Sequence, residues 1–204
     1  MHLGILSEQQ QLLLPFVESL KKEYYLVSGT AIALQIGHRQ SIDFDLFKKS
    51  PVKREKIASK LQSSGLTFQL LFADAESFHV SVNAVKLTFF QFPFNIPTKI
   101  SLNGIRMPDL LALSAMKAYT LGRRAKWKDY VDLYFILRDH YKLSAVIKES
   151  EALFGTLFSS KLFKQQLCYF EDIDYTEEVS FLEGFEVDEL KIKTFLTNVA
   201  TEQL

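Results

Sequence analysis

The hexapeptide Ile42-Asp43-Phe44-Asp45-Leu46-Phe47 alternates apolar and acidic side chains, and a two-residue period is that of a β-strand. A strand sends residues i and i+2 to one face, so Asp43 and Asp45 project together while Phe44 faces the other way. Two like charges side by side repel unless a cation lies between them. A hard divalent ion such as Mg²⁺, which takes one or two carboxylates together with phosphate oxygens, satisfies the pair. An exposed strand edge whose acids face water, or pair with Lys48 and Arg39, satisfies it equally well.

The context raises the first alternative. Tyr24 to Val27 is a short apolar run ending at Ser28-Gly29-Thr30, and the helix-forming Ala31-Ile32-Ala33-Leu34-Gln35 follows, so the stretch reads as strand, glycine turn, helix. Unpaired backbone N–H groups at such a turn, with the Thr30 hydroxyl, can hold phosphate oxygens; the plainer use of Gly29 is backbone freedom at a helix start. A phosphate-holding turn lying 14 residues before a strand with paired carboxylates suits a nucleoside triphosphate and its metal.

Elsewhere the periodicities predict an α+β chain. Leu12, Phe16, Val17 and Leu20 give an amphipathic helix over 8–22, with Pro15 calling for a kink or a later start. Ser50-Pro51 and Gly65 bracket a basic helix at about 51–64. Strands are expected at 66–72, 78–82 and 85–92, the last two joined by a turn at Asn83-Ala84, and Pro93 and Pro97 close this half. From Pro108 the pattern is helical, with Leu110, Leu111, Leu113 and Met116 on one face and a second helix from about Lys128 to His140. The expected architecture is a small mixed β-sheet flanked by helices over 1–104, followed by a helical half over 105–204 packed on it.

Charge is uneven along the chain. There are 24 basic and 24 acidic residues, but 39–128 carry 15 Lys/Arg against 6 Asp/Glu, and 129–204 carry 7 against 15. The neutral total therefore hides a basic segment suited to an anionic ligand beside an acidic one. The single cysteine, Cys168, and the absence of a basic, cleavable leader point to a reducing, cytoplasmic setting. No apolar run approaches the roughly 18–20 residues that span a bilayer, so no membrane partner is expected.

The motif Ser28-Gly29-Thr30-Ala31-Ile32-Ala33-Leu34, with Gly37-His38-Arg39-Gln40-Ser41-Ile42-Asp43-Phe44-Asp45-Leu46-Phe47, resembles the first motif of the AbiEii/AbiGii toxin family of nucleotidyltransferase-like proteins. That family writes Gly-Gly-Thr-Ala-Leu and then Gly-His-Arg-x-Ser-x-Asp-Phe-Asp-Leu-Phe, so Ser28 stands where it has a glycine. Lys117, then Arg123 or Arg124, then Lys128-Asp129-Tyr130-Val131-Asp132-Leu133 resemble its later motif. The resemblance implies the nucleotidyltransferase fold of the DNA polymerase β superfamily. It also implies Mg²⁺ on Asp43 and Asp45, an NTP held by Ser28, Gly29, Thr30, His38 and Arg39, and a cognate antitoxin as partner. Lys117 and Lys128 then neutralise the triphosphate, with Asp129 and Asp132 supporting them. The 3′ end of a tRNA is one acceptor this allows, and a protein hydroxyl is another.

Read locally, these later residues have other uses. Asp129 favours the dipole of a helix start, Lys128 and Asp132 make a surface i,i+4 pair, and His38 caps helix carbonyls. His79, in an apolar strand, reads as structural. The basic run Lys117–Lys128, interleaved with Tyr119 and Trp127, suits an RNA backbone; Lys48, Lys49, Lys53, Arg54, Lys56 and Lys60 form a second basic stretch or a solvated helix face. Many active enzymes of this fold carry a third carboxylate on a later strand. Here Thr88 or a neighbour occupies that slot, and no acid lies between Glu76 and Asp109. A catalytically weak nucleotide- or RNA-binding module acting through a partner is therefore the alternative to an enzyme. A structural subunit that uses the acidic stretch Glu171–Glu189 as an interface is a third.

Overall fold

A computed structural model describes residues 1–202. Helix α1 (Glu8–Ser19) starts at a capping box in which Ser7 and Gln10 each satisfy the other's backbone N–H, and it runs through Pro15 to end three residues before the expected limit. Strand β1 (Tyr25–Val27) passes directly into α2 (Ser28–Ile36), so the glycine turn is the first turn of the helix itself. Gly37 ends α2 in the left-handed conformation, at φ 82°. Strand β2 (Phe44–Lys48) begins one residue after Asp43, and its Phe44, Leu46 and Lys48 are buried while Asp45 and Phe47 are half-buried. The basic helix α3 (Arg54–Ser63) begins later than expected, with Lys53 rather than Ser50 in the capping position.

Strands β3 (Gln69–Ala73), β4 (Ser77–Val82) and β5 (Val85–Gln91) complete a five-stranded sheet in the order β1-β2-β5-β4-β3. Only β2 and β5 run parallel; the other neighbours are antiparallel. Asn83 and Ala84 both take positive φ, the geometry of a tight hairpin turn. A second hairpin, β6 (Ile100–Leu102) with β7 (Ile105–Met107), turns at Asn103-Gly104 and lies against β1. The sequence reading missed it, although Asn-Gly between apolar pairs is a strong hairpin signal. Among the described residues five α-helices follow: α4 (Leu110–Leu121), α5 (Trp127–Asp139), α6 (Leu143–Phe154), α7 (Ser160–Leu167) and α8 (Glu189–Thr201). Helices α4 and α5 pack on α2, so one core joins sheet and helices. Most of the phenylalanines belong to it.

Candidate active site

The register of the sheet fixes which side chains share a face. Val27 of β1 lies opposite Asp45, and Asp45 lies opposite Thr88 of β5, which in turn lies opposite His79 of β4. Paired residues in neighbouring strands point the same way, so Asp45, Thr88 and His79 form one row across three strands. Because α2 starts immediately after Val27, its N-terminus lies beside Asp45. No side chain caps that end, which leaves the first-turn N–H groups open to an anion. Ser28 sits there at φ 63°, the left-handed region that the family fills with glycine and that strains an L-residue.

Asp43 is fixed through its backbone. Its carbonyl accepts hydrogen bonds from the Thr30 hydroxyl and, at 3.5 Å, from Gln10 Nε2. Thr30 also contacts the Ser41 hydroxyl at 2.7 Å. Its side chain therefore ties α2 to the entry of β2 and leaves phosphate contact to the backbone. Burial, and next the charge on Asp45, push the Asp43 carboxyl above its usual range, while Lys128 and Lys86 pull it back. A bound cation relieves the same repulsion. Opposite Asp45 the buried Thr88 hydroxyl has no hydrogen-bond partner among the described residues. Two carboxylates and a free hydroxyl suit a hard, oxygen-seeking divalent ion. Among the described residues no cluster of three or more His, Cys, Asp or Glu could hold a metal, so such an ion draws its remaining ligands from phosphate and water.

The structure takes the other expected residues into a buried ionic network. Asp132 receives Arg39 through both oxygens, at 2.7 and 2.9 Å, His38 Nε2 at 2.8 Å and Lys117 Nζ at 2.9 Å. Lys117 also binds Asp129. All five side chains are buried. Burial works against ionisation of Asp132, but Arg39, Lys117 and His38 hold its carboxyl well below the usual range. The same burial opposes the charge on Lys117, and Asp129 and Asp132 overcome it. Burial lowers the pKa of His38 against the pull of Asp132, so the imidazole is neutral at pH 7. The Arg39 guanidinium lies against Gly29, where any Cβ would collide with it. The motif from Gly29 to Asp45 thus has two uses: His38 and Arg39 pin the loop to α5, and Asp43 and Asp45 are presented at its end.

Lys128, by contrast, stays at the carboxylates. It is half-buried, acts on Asp43, and is paired with Glu177, as is Lys126. Burial resists the charge on Glu177, yet these two lysines hold its pKa at about 2. Glu177 belongs to the acidic stretch 171–189, which folds back over the motif: Gln40 N donates to Ser180 O at 2.9 Å, and Leu182 N to His38 O at 3.1 Å. Sequence reasoning missed Glu177, because its partners lie about 50 residues away and only the surplus of acid hinted at it.

The five-stranded mixed sheet with helices packed on it is the nucleotidyltransferase class of fold. Residues 17–198 match the family described as nucleotidyl transferase AbiEii toxin, of type IV toxin–antitoxin systems. The chain belongs to that family. An uncharacterized Aquifex aeolicus protein is 29% identical over 208 residues, spanning 95% of this chain and 98% of its own. Among solved structures, the Mycobacterium tuberculosis nucleotidyltransferase toxin MenT4 superposes with a TM-score of 0.60 at 13% identity, covering 94% of this chain and 82% of that one. A Helicobacter pylori nucleotidyltransferase candidate gives 0.59 at 16% identity, over 95% and 94%. At these identities the likeness is one of fold. No helix among the described residues is long and apolar enough to cross a membrane.

Proposed function

We propose that this protein transfers a nucleoside monophosphate from an NTP to an acceptor hydroxyl, with Mg²⁺ held by Asp43 and Asp45. The observation that supports the reading is the register Val27–Asp45–Thr88, which brings the N-terminus of α2 beside Asp45, with Asp43 two residues before it in the chain. When bound, the metal would neutralise charge developing on the transferred phosphoryl group and its leaving group. The N–H groups of Ser28 and Gly29 bind and orient phosphate oxygens, and Lys128 adds positive charge once released from Glu177. Arg39, His38, Lys117, Asp129 and Asp132 hold these groups in place as positioning residues. The acceptor is an RNA 3′ hydroxyl or a protein hydroxyl, and an antitoxin partner accords with the family.

Thr88 favours a second reading. A threonine in the slot next to Asp45 cannot accept a proton near neutrality, so a binding module with little transfer fits that position. One experiment separates the two. The protein is incubated with each labelled NTP, Mg²⁺ and total tRNA or cell protein, beside an Asp43→Asn variant. Transfer is expected from one NTP, with loss of label in the variant. NTP binding seen by calorimetry without any transfer supports the second reading instead.

A further inference from the structure

The proposed transfer makes no use of the far end of β2, about 10 Å along the strand from Asp45 at 3.3 Å per residue. There, where Lys48 and Lys49 leave the sheet, an open cleft of about 500 Å³ lies between the start of β1, the segment Phe94–Thr98 and Arg106 of β7. That volume is typical of small-molecule sites and far exceeds what an inorganic ion needs.

Three cations, Lys48, Lys49 and Arg106, line the cleft against one carboxylate, Glu23. Lys48 is 4% exposed, and the carboxylate nearest it, Glu23 at 3.6 Å, is shared with Lys56. Lys49 binds the neutral Asn95 Oδ1 at 2.7 Å, and Arg106 the backbone carbonyl of Lys21 at 3.2 Å. Tyr25 also lines the cleft, and its hydroxyl is buried with no hydrogen-bond partner. Burial pushes its pKa up against the pull of Arg106, so it remains a neutral donor. Folded proteins satisfy the large majority of their buried polar groups, and a donor left over beside an excess of cations calls for an anion. The segment 94–98 adds apolar surface to the lining. Phe94, Ile96 and Pro97 form it, and Phe94 is braced by Phe92 and Phe154, each 4.9 Å away between ring centroids. A flat ring packs on such a surface.

We propose that this cleft binds a nucleoside phosphate unit, with its phosphate on Lys49, Arg106 and Tyr25 and its ring against Phe94, Ile96 and Pro97. The unit is either a free mononucleotide or one nucleotide of an RNA chain. A smaller hollow that shares Glu23 is lined by Lys53, which precedes α3, and by Lys56 and Lys60 of α3, which gives the second basic stretch a use.

The test uses the full chain bearing Asp43→Asn and Asp45→Asn, in EDTA, so that metal-dependent binding is removed. AMP, adenosine, inorganic phosphate and the RNA hexamer A6 are titrated by calorimetry. AMP is expected to bind at least about tenfold more tightly than phosphate or adenosine. Lys49→Glu with Arg106→Glu, at the rim of the cleft, is expected to weaken it at least about tenfold, and Tyr25→Phe about threefold or more, with circular dichroism unchanged. Tighter, steeply salt-dependent binding of A6 assigns the site to RNA, and A6 no tighter than AMP assigns it to free nucleotide. AMP binding no better than phosphate, or indifferent to the Lys49→Glu/Arg106→Glu change, overturns the proposal.

Discussion

Replacing Asp132 by Asn removes one charge from a cluster with no access to water. Among the buried side chains Arg39 and Lys117 contribute two positive charges, Asp129 and Asp132 two negative ones, and His38 none, so these five balance, with the exposed Arg124 3.7 Å from Asp129 at their edge. The substitution leaves one uncompensated cation, with Arg39 losing both of its carboxylate contacts. Breaking a buried pair from one side costs about 3–5 kcal/mol, a large part of the roughly 5–15 kcal/mol that holds a domain together. For a chain of this size that corresponds to a melting temperature about 6–20 °C lower. Urea unfolding followed by circular dichroism reads the loss directly. Combined with Arg39→Gln, the two changes should cost less than their sum by about 1–3 kcal/mol, since the second relieves the charge that the first strands. A loss below about 1 kcal/mol for Asp132→Asn, or strict additivity of the pair, would refute a neutral, mutually dependent cluster.

Three further outcomes are expected. Gly29→Ala forces the Arg39 guanidinium off its seat and should destabilise by about 1–3 kcal/mol in the same assay, whereas Gly122→Ala, where a Cβ meets open space, should not. Glu177→Gln removes the counter-charge from Lys126 and Lys128 and should lower the Kd for an NTP severalfold; a weaker Kd would show that Glu177 itself supports the ligand. Because the folded pKa of His38 is lowered, the unfolded chain binds a proton that the folded chain does not once the pH drops below about 6.5. Stability should therefore fall as the pH goes from 6.5 toward the lower folded value, and His38→Asn should flatten that slope.

The strand–helix half of the motif was legible because its logic is local: a strand at Tyr25–Val27, a helix from Ser28 and a strand at Phe44–Lys48 all stand where the pattern put them. Alternation placed Asp43 and Asp45 on one face, and Gly29 after an apolar run marked a helix start. Thr88 or a neighbour was expected near the first carboxylates on the later strand, and the register sets Thr88 opposite Asp45. What could not be read were pairings over distance. Lys117 and Asp132 are 15 residues apart and Arg39 and Asp132 are 93 apart. The ordinary i,i+4 pairing of Lys128 with Asp132 lost to a buried alternative. Their burial, not their spacing, makes them one ionic cluster. The basic helix was expected too early, since Pro51 signals a start only when a capping side chain precedes it, and α3 is capped by none. The acidic surplus of the C-terminal part was visible, but that Glu177 spends it on Lys126 and Lys128 was a matter of how the chain folds back.

The most direct measurement of the central proposal is the single-turnover rate of label transfer from NTP for the unaltered chain, Asp43→Asn and Asp45→Asn, each with Mg²⁺ and with EDTA. Both substitutions and EDTA are expected to lower the rate at least about 100-fold while circular dichroism stays unchanged. Transfer by either variant within about threefold of the unaltered chain, or full transfer in EDTA, would contradict a metal held by this carboxylate pair.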